Sequence, residues 1–172
     1  PKFNKSLFVG IKYGKDGTNV AMSVAVKTQE GKIFIEGIDC QPVRNGTGWI
    51  VDYLKRMQPK GIVIDGANGQ QLLSEELKER KIKGVVMPTV KEIIAANALF
   101  EQGIFSERIC HTNQPSMVQA ASNCEKRQIG SNGGFGYKAL KDGIEIALLD
   151  SVILAHWACS EGKMRKKQKV YY

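Results

Sequence analysis

Two aspartates stand out by their surroundings. Asp65 closes Gly61-Ile62-Val63-Ile64, a short continuous apolar run of the kind that forms a strand buried on both faces. A carboxylate at the C-terminal end of such a strand lies where open α/β sheets bind their ligands. Followed by Gly66, Asp65 also reads as an ordinary turn residue. Asp150 sits between Leu149 and Ser151 in the most apolar stretch of the chain. Aspartate is a weak helix former, and a buried carboxylate without a partner costs several kcal/mol. Asp150 therefore needs a metal ion, a cation or hydrogen-bond donors, the plainest of which is backbone. Small neighbours on its face, Ala147 and Ser151, leave room for close approach. Asp16 follows the first strand, and Glu145 falls near the start of the last helix, where the macrodipole favours acid. Two or three carboxylates converging on one edge are what a divalent-metal phosphodiesterase needs. Two Mg²⁺ or Mn²⁺ ions, about 3.5–4 Å apart, can clamp the attacking and leaving oxygens. Hard oxygen ligands suit these ions.

Competing chemistries are poorly supported. The chain has two histidines, and neither His111 nor His156 completes a nucleophilic triad; His156 reads as a core histidine. Cys40, Cys110, Cys124 and Cys159 form no C-x-x-C pair, which argues against zinc. They read as free, mostly buried thiols of a reducing compartment. The stretch FVGIKYGKDG at residues 8–17 is not a phosphate loop. Its glycines are too close, and Lys15 is followed by Asp16 rather than Ser or Thr. It leaves a different question, why a central strand ends in Lys12.

The elements that must position these residues follow from the hydrophobic pattern. Stretches 6–13, 18–28 and 32–40 predict three strands, an antiparallel meander with a hairpin turn at residues 28–32. A helix starts at Thr47 and stops at Pro59. The strand Gly61–Ile64 leads into a Gly-Ala-Asn-Gly turn. A helix over 70–81 follows, with Leu72, Leu73 and Leu77 on its apolar side. Then come a short strand at 84–87, a helix over 91–102 and a helix over 115–125. Lys126 to Lys138 reads as a Gly-rich hairpin flanked by base. Residues 143–160 predict a buried helix. The sum is a mixed α/β sheet, three antiparallel strands and then parallel ones, flanked by helices, with the hairpin before the last helix.

The 172 residues suffice for one domain with a full core. The boundaries read as a domain over 1–162 and a basic tail over 163–172. No apolar run is long enough to span a bilayer, and no stretch looks like a signal peptide. The start at Pro1 suggests a domain cut from a longer protein. The net charge of +8 favours a polyanionic partner. Lys126, Arg127, Lys138 and Lys141 around the hairpin, with Lys166 and Lys167 in the tail, are the candidates for phosphate-directed, salt-sensitive DNA contacts. The tail also reads as simply solvated.

With these motifs in place, a family resemblance emerges. The fold looks like RNase H. Residues 61–103, GIVIDGANGQQLLSEELKERKIKGVVMPTVKEIIAANALFEQG, and 143–159, GIEIALLDSVILAHWAC, resemble the C-terminal nuclease domain of a tailed-phage terminase large subunit. The likeness extends over nearly the whole chain. It implies a metal-dependent endonuclease, a hydrolase that cuts concatemeric double-stranded viral DNA with two Mg²⁺ or Mn²⁺ ions in the cytoplasm of an infected bacterium. It further implies a small terminase subunit, a portal and an N-terminal ATPase motor as partners, with the isolated domain a monomer and no membrane involved. Carried over by position, Asp65 and Asp150 match two of the family's metal-binding carboxylates, with Asp16 and Glu145 as further candidate ligands. The third carboxylate belongs at the place held by Lys12. A protonated lysine cannot ligate Mg²⁺. The expectation is that the Lys12 ammonium reaches Asp65 and Asp150 and substitutes for the missing metal charge. Two readings stay open beside a disabled packaging nuclease: an inert RNase H-like module that binds nucleic acid or docks a motor, and another RNase H-like nuclease such as a junction resolvase.

Overall fold

A computed structural model describes residues 3–111, 124–129, 134–139 and 146–162, with side chains over 6–110 and 146–162. Three long strands open the chain: β1 (Phe3–Tyr13), β2 (Asn19–Thr28) and β3 (Ile33–Pro42). They form the expected meander, β1 antiparallel to β2 and β2 antiparallel to β3. The β2–β3 turn closes where Thr28 N–H donates to the Lys32 carbonyl at 2.7 Å. Helix α1 (Gly48–Met57) carries the chain over one face to β4 (Gly61–Asp65). It ends one residue before Pro59 in a left-handed Gln58. Helix α2 (Gln70–Glu79) leads to β5 (Val85–Val86), and α3 (Val90–Phe105) to β6 (Ile109–His111). A separate antiparallel pair, β7 (Cys124–Ile129) and β8 (Gly134–Ala139), precedes the last helix, α4 (Ala147–Glu161).

The sheet order is β5-β4-β1-β2-β3-β6. β4 runs parallel to β1 and to β5, and β6 runs parallel to β3. Alternation along the strands builds two cores. Val9, Ile11, Tyr13, Ile62 and Ile64 point to the face covered by α1 and α2. Phe8 and Val63 point to the face of α3 and α4. The apolar run of β4 is thus explained by burial on both sides.

Several expectations need correction. Leu72 is 73% exposed, while Leu73 and Leu77 are buried; the apolar stripe of α2 is only one side chain wide. Helix α2 stops at Glu79, before Lys81 takes a positive φ of 59°. Helix α3 extends further than 91–102 at both ends, starting from a capping box in which Thr89 and Glu92 satisfy each other's backbone N–H groups. Cys124 and Glu125 stand in a strand rather than at a helix end; residues 112–123 lie outside the described residues. Strand β6, three residues long, is too short to leave a pattern. Cys40 is exposed, Cys110 intermediate and Cys159 buried, so among the described thiols one of three is hidden.

Candidate functional site

The site is built where β1 and β4 end side by side. Their parallel register sets Lys12 opposite Asp65. Alternation turns both side chains to the α4 face, the same face as Phe8 and Val63. The Lys12 ammonium donates to Asp65 Oδ2 at 2.6 Å, with the two side chains 18% and 13% exposed. A charge-assisted bond this short and this sheltered is among the stronger polar contacts a protein makes. Asp65 is therefore no mere turn residue.

Helix α4 lies directly on the strand that carries Lys12. Gly10 permits this, because a Cβ there would collide with the Ser151 carbonyl oxygen and the Ala155 nitrogen. A buried hydroxyl pair pins the contact. Ser151 Oγ donates to the Leu148 carbonyl at 2.7 Å and sits 2.6 Å from Ser23 Oγ on β2. With the Ser151 proton so committed, Ser23 donates. Cys159 near the other end of α4 feels the charge of Lys27, four residues beyond Ser23. The helix therefore runs along β2 and against β1, and its N-terminal turn lies toward the edge of Lys12 and Asp65. Asp150 is in that first turn, not mid-helix as the apolar run suggested, and it is of intermediate burial between two buried neighbours. The helix N-terminus favours a carboxylate there.

The loop after Asp65 locks the edge. Gly66 adopts φ 113° against the backbone of Tyr13, and the Tyr13 ring fills the space a side chain on Gly69 would need. Asn68 Nδ2 donates to the Lys15 carbonyl at 3.0 Å, tying this loop to the β1–β2 turn. Burial raises the Tyr13 pKa, with a smaller contribution from Glu76. Glu76 also accepts a 2.7 Å bond from Thr47 Oγ1, so this hydroxyl links two helices and does not cap α1. Asp16 serves its own turn: its Oδ1 accepts from Thr18 N–H at 3.0 Å and Thr18 Oγ1 at 2.8 Å. These bonds lower its pKa.

Lys126 and Arg127 fall on β7 and Lys138 on β8. Glu145, Lys141, Lys166 and Lys167 lie outside the described residues, as does the tail over 163–172. Among the described residues, no group of three or more His, Cys, Asp or Glu side chains could hold a metal ion. At Asp65, moreover, one oxygen is taken by an ammonium. The described donor set does not fit a pair of divalent ions.

Sequence reasoning missed the Ser23–Ser151 pair and the Asn68 tie. The hydroxyls were visible as polar interruptions of apolar runs, AMSVAV and LLDSVIL. His156 is indeed a core residue, but its Nδ1 finds no hydrogen-bond partner among the described residues. It packs edge-on against Phe100 of α3 at 5.5 Å between ring centres. Burial lowers its pKa to about 4.

A six-stranded mixed sheet, an antiparallel meander flanked by parallel strands, with helices on both faces, is the RNase H-like class of fold. Within that class the chain has the fold of phage large-terminase nucleases. The HK97 bacteriophage large terminase superimposes with a TM-score of 0.70 over 90% of this chain and 40% of its own, at 12% identity. The nuclease of the large terminase from thermophilic phage G20c, crystallised with magnesium, gives 0.62 over 91% and 82% at 14% identity. The large-terminase nuclease domain of Thermus phage P74-26 gives 0.60 over 88% and 78% at 15% identity. Neither a family model nor a curated protein matches the chain.

Proposed function

We propose that this chain is a nuclease domain of a viral DNA-packaging terminase, and that Lys12 keeps its cutting chemistry closed. The Lys12–Asp65 ion pair carries the reading, because it stands at the C-terminal edge of the sheet where a metal-dependent phosphodiesterase would gather carboxylates. The G20c nuclease has been crystallised with magnesium and with cobalt, which supports a divalent-ion site in proteins of this fold. In this chain an ammonium holds the Asp65 oxygen. A single positive charge neutralises that carboxylate. It cannot polarise a phosphoryl oxygen as a Lewis acid or lower the pKa of a water. The chain as it stands holds double-stranded DNA without cutting it. In this reading Asp65 and Asp150 are the retained carboxylates, and the hairpin lysines and arginine add phosphate contacts. An ATPase motor, a small subunit and a portal are its partners in the cytoplasm of an infected bacterium.

Plasmid nicking in the presence of Mn²⁺ tests this. The unaltered chain leaves supercoiled plasmid intact, and Lys12→Asp nicks it. Nicking by the unaltered chain overturns the closed site. Intact plasmid with both proteins favours a DNA-holding module with no latent nuclease.

A further inference from the structure

The topology gathers positive charge at the edge of the sheet opposite Lys12 and Asp65. Helix α1 runs straight into β4 and α2 into β5, so both helix C-termini and the turns after them meet the N-terminal ends of these parallel strands. Lys55 and Arg56 lie in the last turn of α1 and Lys78 in that of α2. Lys60, Lys81 and Lys83 lie in the following turns, and all six are exposed. Arg80 also belongs to this corner, where Glu76 holds it at 3.2 Å.

Helix dipoles account for only part of this. A cation in the last turn complements the negative helix end, but Lys60, Lys81 and Lys83 stand beyond the helices. The terminal carbonyls are also already served by backbone: Gln58 N–H donates to Leu54, Arg80 N–H to Glu76 and Ile82 N–H to Leu77. Lys81 occupies a left-handed backbone at φ 59°, where Gly or Asn would be less strained. The lysine there is thus explained neither by capping nor by backbone preference.

We propose that this corner is a second contact surface for the phosphate backbone of duplex DNA, separate from the candidate site. Lysines spread over two helix ends and two turns suit a repeating line of phosphates, each contact displacing counterions. Single strands are held largely by stacking bases on aromatic rings, and the ring at this corner, Tyr53, is half-buried with Arg56 over it at 5.6 Å. An acidic protein partner would call for an apolar or aromatic anchor at the centre of the patch. Of the large apolar side chains exposed among the described residues, Met57 at the end of α1 lies here, 43% exposed, a single flexible side chain rather than a patch.

The test is binding of a short labelled duplex of arbitrary sequence to the whole chain, by fluorescence anisotropy in EDTA across a salt series. No cleavage enters this readout, so it stands or falls apart from the nuclease reading. Replacing Lys78→Gln, Lys81→Asn and Lys83→Gln together weakens binding about tenfold or more at low salt. It also lowers the slope of log K against log salt by about 2–3. Arginine at the same three positions keeps both, and thermal melts confirm folding; Asn at 81 suits the backbone better than Lys. An unchanged affinity and slope in the neutral variant overturns the proposal. So does binding of poly-glutamate as tight as that of the duplex and lost in the same variant, which makes the corner a surface for an acidic protein.

Discussion

Lys12 and Asp65 are fixed by register before any chemistry is considered. Paired residues on parallel strands project to one face, and a lysine there meets the carboxylate at 2.6 Å. Their charges were legible in the sequence as a cation ending one apolar strand and an aspartate ending another. Their contact was legible only through the family resemblance, because 53 residues separate them and no alternation rule sets strand order. Residue-scale reactivity follows burial in the same way. The Cys159 thiol is pushed up to about 11 by burial, an effect that Lys27 partly offsets, whereas Cys40 is exposed. Because the thiolate is the nucleophile, iodoacetamide near pH 8 is expected to modify Cys40 and leave Cys159 untouched in the folded chain. Peptide mass mapping reads the difference. Equal labelling of both would mean that Cys159 on α4 is not packed into the core as described.

At the scale of elements, the placement of α4 decides the site. Gly10 and the Ser23–Ser151 pair set its height and position over the sheet. A methyl at position 10 has no space, so Gly10→Ala is expected to cost about 3 kcal/mol or more in urea unfolding. Ser23→Ala, which removes one donor and leaves Ser151 bonded to Leu148, is expected to cost about 1 kcal/mol. The α3–α4 contact carries a pH dependence through His156. Burial holds its folded pKa at about 4 against an ordinary value of 6.5. The unfolded chain therefore takes up a proton that the folded chain refuses. This contribution to stability is full above pH 6.5 and is lost as pH falls toward 4, by up to roughly 3 kcal/mol. His156→Leu is expected to flatten that part of a stability–pH curve; an unchanged slope would show that His156 is solvated. Helices with a broad apolar stripe were readable from periodicity. The exact end of α4 was not, since an all-apolar run gives no internal marker of where the first turn lies, and Asp150 was misplaced for that reason.

For the whole molecule, the order of elements carried most of the fold. Three β-rich stretches followed by alternating helices and short apolar strands admit few topologies. The pairing of β6 with β3 was hidden by its length of three residues. The sheet then divides the molecule's charge chemistry between two edges. The C-terminal ends of β1 and β4 hold Lys12 and Asp65, and the N-terminal ends of β4 and β5 lie among exposed lysines. On the function proposed above, the Lys12 ammonium stands in place of a metal beside Asp65. Mn²⁺ titration by isothermal calorimetry, with the free ion followed by electron paramagnetic resonance, tests it on the unaltered chain and on Lys12→Asp. No saturable Mn²⁺ binding is expected of the unaltered chain, and saturable binding is expected of Lys12→Asp, abolished by the further change Asp65→Asn. Equal Mn²⁺ binding by the unaltered chain and Lys12→Asp would contradict it.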